Sequence, residues 1–114
     1  MKEVKAIIRP GRWLETRKEL EKIGILRYTT CRVQGRGRQK GLRYLGRRGV
    51  IVGVRYVPKR LVTLWLHEGD VERVVKMLIT VNRTGQIGDG KIFVSPAEDV
   101  IRLRTGDRGE LALA

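Results

Sequence analysis

The stretch from residue 71 to residue 82 places the tightest constraint on how this chain can fold. Apolar residues and one asparagine recur there at i, i+3, i+4, i+7, i+8 and i+11, namely Val71, Val74, Val75, Leu78, Ile79 and Asn82. On an α-helix these side chains share one face, which has to pack against a sheet or another helix. Asp70 can cap the start of this helix, and Gly85 can end it.

Four further segments read as β-strands, at about residues 3–9, 28–34, 61–67 and 91–95. The last of these is expected to be short and buried. A first helix is predicted from Arg12 to Ile23, with Gly24 as its stop, and residues 100–104 are expected to form a final extended piece. The order β-α-β, insert, β-α-β is the ferredoxin-like α+β pattern, βαββαβ, and predicts one domain over residues 1–114.

The insert between the second and third strands, about residues 36–57, contains five glycines and few core-forming spacings. A loop of this length in a small protein is uncommon and is usually functional or disordered. Its apolar stretch at Val50, Ile51 and Val52 can form part of a hairpin or dock on a partner. A C-terminal tail is expected over about residues 105–114.

The formal net charge of +13 is concentrated in one part of the chain. Ten Lys or Arg and no Asp or Glu lie between Arg32 and Arg60, which makes nucleic acid a first candidate partner. No apolar run approaches the roughly 20 residues of a membrane helix, so no membrane insertion is expected. Cys31 is the only cysteine, which excludes an intrachain disulfide and favours a reduced, cytoplasmic setting.

A glycine-rich segment, TGQIGDGKIFV at residues 84–94, follows the second helix. From Gly85 it has the spacing G-x-x-x-x-G-K of a phosphate-binding P-loop, but Ile92 stands where a P-loop needs Ser or Thr. The element order is also helix, loop, strand, whereas a P-loop runs strand, loop, helix. One interpretation is an ordinary Asp-Gly turn. The other is an anion-binding nest of backbone N–H groups, with Lys91 adding a positive charge.

Two arginines strengthen the second interpretation. Arg102 and Arg104 would share one face of an extended segment, where two guanidinium groups repel each other unless an anion lies between them. Taken with the glycine nest and Lys91, they favour a polyphosphate ligand.

Three separated motifs carry a resemblance to a known family. The segments TGQIGDGKIFV and IRLRTGDRGE resemble the two nucleotide-binding segments of PII signal-transduction proteins, and GRGRQKG at residues 35–41 resembles the third, at the root of that family's long loop. KEVKAIIRP and VPKR fit the same pattern. The resemblance runs from Met1 to about Leu111.

This resemblance implies a trimer of ferredoxin-like subunits that senses nitrogen status and is not an enzyme. ATP or ADP would bind in clefts between subunits, and with MgATP bound, 2-oxoglutarate would bind at the loop root. The long loop would then grip or release target proteins.

The resemblance also implies roles for individual residues. Phosphates would be held by Gly88, Asp89, Gly90 and Lys91, joined by Arg102 and Arg104. Gly35, Gly37, Arg38 and Gln39 would belong to the other side of the cleft, with Thr29 near its base. Gln39 would also contact Mg²⁺, which suits a carbonyl oxygen, and Lys59 would pair with a carboxylate of 2-oxoglutarate.

Several features depart from the common family pattern. Tyr44 and Tyr56 lie near the two ends of the loop, and no tyrosine occupies its apex for uridylylation. Trp65 stands where a small aliphatic residue usually lines the adenine pocket. IIRPGRWLETRKELEKIGI and VNRTG resemble the second of two PII-like proteins associated with nitrogenase operons. That likeness implies assembly with itself or a paralogue, and inhibition of dinitrogenase when 2-oxoglutarate is low.

Three alternatives stay open. The first is a general PII regulator of an ammonium transporter or nitrogen-assimilation enzyme. The second is a basic RNA-binding module of the same strand order, but such a module needs a run of aromatics on its sheet, and the chain has one Phe, so no nucleic acid is predicted as a partner. The third is a small ferredoxin-like hydrolase, for which the chain offers no convincing nucleophile or general base, so no catalytic residue is assigned.

Overall fold

A computed structural model of the protein describes residues 1–36, 42–45, 51–55 and 57–113. The strands are β1 (Lys2–Ile8), β2 (Thr29–Gly35), β3 (Leu42–Leu45), β4 (Ile51–Arg55), β5 (Val57–Leu66) and β6 (Lys91–Pro96). The helices are α1 (Trp13–Lys22) and α2 (Val71–Asn82). Short 3-10 turns occupy Pro10–Arg12, Glu68–Asp70 and Gly109–Leu113.

Four of the strands form one antiparallel sheet in the order β2-β5-β1-β6. Together with α1 and α2 this is the ferredoxin-like α+β fold that the sequence predicted. Part of the insert forms a separate antiparallel hairpin, in which β3 pairs with β4. Of the described helices, none has the length and apolar character needed to cross a membrane.

The two helices cover one face of the sheet and bury the alternate residues of its central strands. Burial of this apolar surface is the main stabilising term for a chain of this size. The core consists of Val4, Ala6, Ile8, Leu20, Val62, Leu64, Leu66, Val71, Val74 and Leu78.

The other face of the sheet is open in a single chain. Trp65 and Phe93 lie on it, with exposed fractions of 41% and 52%. β6 is therefore not the buried strand that the sequence predicted. It is an edge strand paired with β1, so its residues Phe93 and Val94 keep about half of their surface accessible.

The predicted ends of the helices are confirmed for α1 and wrong for α2. α1 ends before Gly24, which has a φ of 82°. Asp70 does not cap α2, because its backbone is already helical and its carboxylate accepts hydrogen bonds from Arg73 instead. α2 ends at Asn82, before Gly85, because Arg83 is already extended.

The predicted extended piece at residues 100–104 is also wrong. Only Ile101 makes a strand-like bridge, with Arg108, and residues 103–105 form a turn. The carboxylate of Asp99 closes this segment by accepting bonds from the Val100 amide at 2.9 Å and the Arg108 guanidinium at 2.7 Å. The Arg108 bond is the largest of the influences that hold the pKa of Asp99 below its usual value.

The C-terminal segment lies at the Met1 end of β1. The Ala97 amide donates to the Met1 carbonyl at 3.2 Å. The Glu110 carboxylate lies 3.9 Å from the N-terminal amine of Met1 and contacts Nδ1 of His67. The tail is thus held at the end of the sheet where β1 begins.

At the opposite end of β1, the chain enters β6 through a very close backbone contact. Gly90 has a φ of 102°, and a Cβ placed on it would lie 1.7 Å from the carbonyl oxygen of Ile7. Only glycine combines this left-handed backbone with that approach.

Replacing Gly90 should therefore be far more costly than replacing Gly85, its matched control. Gly85 has a φ of 85°, but a methyl group added there would meet no atom within 4 Å, so Gly85→Ala should cost only the left-handed strain of about 1–2 kcal/mol. Gly90→Ala adds a backbone clash, and we expect a loss of about 2–5 kcal/mol in the free energy of unfolding. Urea denaturation of the two variants measures both values, and equal losses would contradict the packing at Ile7.

Candidate functional site

The loop between α2 and β6, residues 83–90, is called the glycine loop below. It faces a cleft at the Ile7 end of the sheet. The cleft has a volume of about 670 Å³. Its described lining brings together six of the predicted residues, namely Gly35, Lys59, Gly88, Asp89, Gly90 and Lys91. The other lining residues are Ile7, Arg36, Val57, Gln86 and Ile87. This position follows from the strand register, because Ile7 pairs with Leu61 on one side and Lys91 on the other.

Asp89 holds the glycine loop in shape. Its carboxylate accepts bonds from the Thr84 amide at 2.8 Å, the Thr84 hydroxyl at 2.5 Å and the Gly85 amide at 2.9 Å. These bonds, the Thr84 hydroxyl first among them, lower the pKa of Asp89 to about 2. The carboxylate is thus engaged within the loop, as expected of a turn former.

Lys59 lies inside the cleft rather than on a solvated strand edge. Its Nζ donates to the carbonyl oxygen of Gly88 at 2.5 Å. Burial and, secondarily, the positive charge of Arg9 lower the pKa of Lys59, while the carboxylate of Asp89 acts in the opposite direction. An ammonium group placed in this way is available for an anion that enters the cleft.

Arg9 is a contributor that the sequence did not reveal. Its guanidinium donates to the carbonyl oxygen of Ile87 at 3.1 Å and to Asp89 Oδ1 at 3.4 Å. Arg9 and Asp89 are 80 residues apart, and nothing in the local sequence around Arg9 signals the contact.

Three predicted residues lie outside this cleft. Thr29, Arg102 and Arg104 are absent from its described lining. Arg102 lies in the segment held at the Met1 end of β1, whereas the glycine loop lies at the Ile7 end. The seven residues of β1 separate these two ends by roughly 20 Å. Gly37, Arg38 and Gln39, together with the loop apex, fall outside the described residues.

The expectation that Arg102 and Arg104 share an extended face is wrong. The chain turns over residues 103–105, and the Arg102 guanidinium donates to Asp107 at 2.9 Å and to the Leu111 carbonyl at 2.9 Å. Arg104 is exposed. Trp65 is likewise outside the cleft, and its Nε1 donates to Glu3 at 3.1 Å.

The Asp89 bonds predict a defined loss of stability in acid. A carboxylate with a pKa of about 2 in the folded state, against an ordinary value near 4, stabilises the fold above pH 4. That contribution is lost as the pH falls from about 4 to 2, because the protonated carboxyl accepts these bonds poorly. Urea midpoints of wild type and Asp89→Asn should therefore differ at pH 5 and converge towards pH 2. Parallel curves over the whole range would contradict the prediction.

Comparisons with known proteins place this architecture in a family. The family model described as nitrogen regulatory protein P-II matches residues 1–107. The chain is 45% identical to the nitrogen fixation nifHD1 region GlnB-like protein 2 of Methanosarcina barkeri, with 99% of each chain covered. It is 44% identical to the nitrogen regulatory protein P-II of Synechocystis sp., with 99% of this chain and 100% of that protein covered.

The structural comparison agrees. The crystal structure of Arabidopsis thaliana PII bound to citrate matches with a TM-score of 0.77 and 39% identity, covering 97% of this chain and 87% of that one. The relatives from methanogens, such as that of Methanothermobacter marburgensis at 44% identity over 99% of this chain and 100% of the relative, bear the nitrogenase-region name that the sequence resemblance predicted. This chain belongs to the P-II family of nitrogen regulatory proteins.

Proposed function

We propose that this protein reports nitrogen status by binding ATP or ADP and 2-oxoglutarate, and that its basic loop inhibits dinitrogenase when 2-oxoglutarate is low. The observation that carries the proposal is the position of Lys59 beside the glycine loop, with its Nζ 2.5 Å from the Gly88 carbonyl. That arrangement brings a cation and the glycine loop together in one cleft, beside Gly35 and Arg36 at the root of the insert.

The nucleotide part of the proposal rests on the loop's backbone and charge. Gly88 and Gly90 have φ values of 103° and 102°, and a loop with glycines in such conformations can turn its backbone N–H groups towards an anion. Lys91 is exposed at the start of β6 and supplies a charge for the phosphates.

One chain supplies only half of the proposed nucleotide site. Arg104 and Thr29 are exposed and are absent from the described lining of the cleft. We propose that a trimer, as the family resemblance implies, brings them to a neighbour's cleft. The half-exposed apolar residues Trp65 and Phe93 on the open face of the sheet support burial against other subunits.

The second proposed ligand, 2-oxoglutarate, is matched to the positive charge of Lys59. 2-Oxoglutarate has two carboxylates, and the one remote from its keto group needs a cation, for which Lys59 is placed. The relative from Arabidopsis thaliana is described as bound to citrate, which is also a polycarboxylate. When bound, Mg²⁺ would supply a Lewis acid that the ATP phosphates, the keto acid and the Gln39 carbonyl oxygen can share.

The target part of the proposal rests on the insert. Seven basic residues and no acidic ones occur from Arg36 to Arg55, and Val50, Ile51 and Val52 lie among them. Positive charge speeds encounter with an acidic surface, and a small apolar tip can provide the anchor. Relatives in methanogens are named for the nitrogenase region, which favours dinitrogenase as the target, with self or a paralogue completing the oligomer.

A general P-II role, regulating an ammonium transporter or an assimilation enzyme, is the second candidate. The 44% identity to Synechocystis P-II is almost the same as that to the nitrogenase-region relatives, so identity alone does not separate the two roles. The genes next to this one discriminate between them, because nitrogenase structural genes favour the first role and an ammonium transporter gene favours the second.

Ligand binding should be ordered. We expect calorimetry to show MgATP binding to wild type, and 2-oxoglutarate binding only after MgATP. Lys59→Ala should lose 2-oxoglutarate binding and weaken MgATP by less than about tenfold, because the Gly88 carbonyl loses one hydrogen bond. Lys76→Ala, which removes an exposed lysine from α2, is the control and should behave as wild type. Equal affinity for 2-oxoglutarate with and without nucleotide would contradict the proposal.

Target binding should depend on both the loop and the ligands. The protein should co-purify with the dinitrogenase component at low salt and be released when MgATP and 2-oxoglutarate are added together. Deletion of residues 43–55 should abolish the complex. A complex that survives this deletion would contradict the role of the loop, and RNA binding that resists high salt, with no dinitrogenase bound, would favour the nucleic-acid alternative.

A further inference from the structure

The glycine loop has few attachments to the sheet apart from its own ends. The bonds of Asp89 to Thr84 and Gly85 close the loop on itself and do not connect it to a strand. Of the described side-chain bonds, those that join the loop to the sheet region come from two cations, Lys59 on β5 and Arg9 immediately after β1.

These two cations occupy different positions relative to the cleft. Lys59 is part of the cleft lining, whereas Arg9 is not. The Arg9 side chain is 31% exposed, and its Nε is buried without a hydrogen-bond partner in the described structure. Arg9 thus holds the loop from a position outside the described lining of the cleft.

The bond from Arg9 to the Ile87 carbonyl fixes the orientation of a whole peptide unit. In a planar trans peptide the carbonyl oxygen of one residue and the N–H of the next point in opposite directions. With the Ile87 oxygen held 3.1 Å from the Arg9 guanidinium, the Gly88 N–H has to point away from Arg9. Gly88 itself lines the cleft.

We infer that Arg9 is a positioning residue of the anion site, acting through the Ile87–Gly88 peptide and through Asp89 rather than by touching the ligand. This inference rests on the proposed function for the identity of the ligand, but its structural part does not. Without Arg9, the Ile87–Gly88 peptide is free to rotate and Asp89 loses its connection to the sheet. The loop should then spend less time in the conformation that presents the Gly88 N–H.

The test compares Arg9→Met and Arg9→Lys with wild type, and uses Arg12→Met as the matched control. Arg12 is a neighbouring arginine whose guanidinium pairs only with Glu15 among its described side-chain contacts. Two quantities are measured on each protein, namely amide hydrogen exchange of Thr84 and Gly85 without ligand, and MgATP affinity by calorimetry.

Arg9→Met should speed exchange at both amides by about tenfold and weaken MgATP by about tenfold, the size expected for hydrogen bonds to charged groups. Arg9→Lys keeps the charge but lacks the planar guanidinium, whose Nη2 donates both bonds, so it should be intermediate. Arg12→Met should match wild type in both measurements.

Two results would overturn the inference. One is unchanged exchange at Thr84 and Gly85 in Arg9→Met. The other is faster exchange with unchanged MgATP affinity, which would mean that the loop conformation held by Arg9 does not matter to the ligand. Weaker MgATP binding with unchanged exchange falls under the first result and would mean that Arg9 contacts the ligand. If wild type binds no MgATP, the proposed function fails, while the exchange measurement still decides the positioning role. If Arg9→Met does not fold by circular dichroism, Arg9→Lys carries the same comparison.

Discussion

The close contact between Gly90 and the Ile7 carbonyl is the constraint on which the candidate site depends. A Cβ at position 90 would lie 1.7 Å from that oxygen, so the loop can come this close to β1 only if residue 90 is glycine. The contact starts β6 in its register with β1, in which Lys91 lies opposite Ile7. The same register brings Lys59, on the other neighbour of β1, within reach of the loop. The position of the candidate site at the Ile7 end of the sheet therefore follows from this backbone approach.

The loop is then oriented by cations that bind its carbonyl groups. Arg9 holds the Ile87 oxygen and Lys59 holds the Gly88 oxygen, while Asp89 closes the loop from within. Under the proposed function Lys59 has two competing partners, the Gly88 carbonyl and a carboxylate of 2-oxoglutarate. Binding of 2-oxoglutarate would release the Gly88 carbonyl, which offers a direct physical route from the ligand to the root of the insert.

Features set by local spacing could be predicted from the sequence, and features set by distant contacts could not. The periodicity of residues 71–82 matches the observed extent of α2, and the glycine-rich segment at residues 84–94 contributes four of the predicted site residues to one cleft. Residues 103–105 turn because the Gly106 amide bonds to the Arg102 carbonyl and the Arg102 amide to the Asp107 carbonyl. The two-residue spacing of the arginines does not reveal these bonds, so it wrongly indicated an extended face. The exposure of β6 depends on its place at the sheet edge, and the Arg9 contact joins residues 80 apart.

The central claim is that each nucleotide site is completed by a neighbouring subunit, and mixed oligomers test it most directly. Lys91→Ala damages the glycine-loop half and Arg104→Ala the other half, and both side chains are exposed, so both variants should fold. Each variant alone should bind MgATP weakly. Refolding the two together should restore wild-type affinity in a fraction of the sites, because some clefts then combine an intact Lys91 from one chain with an intact Arg104 from its neighbour. If calorimetry shows no recovered high-affinity sites in verified mixed oligomers, the site is not shared between subunits and the account is wrong.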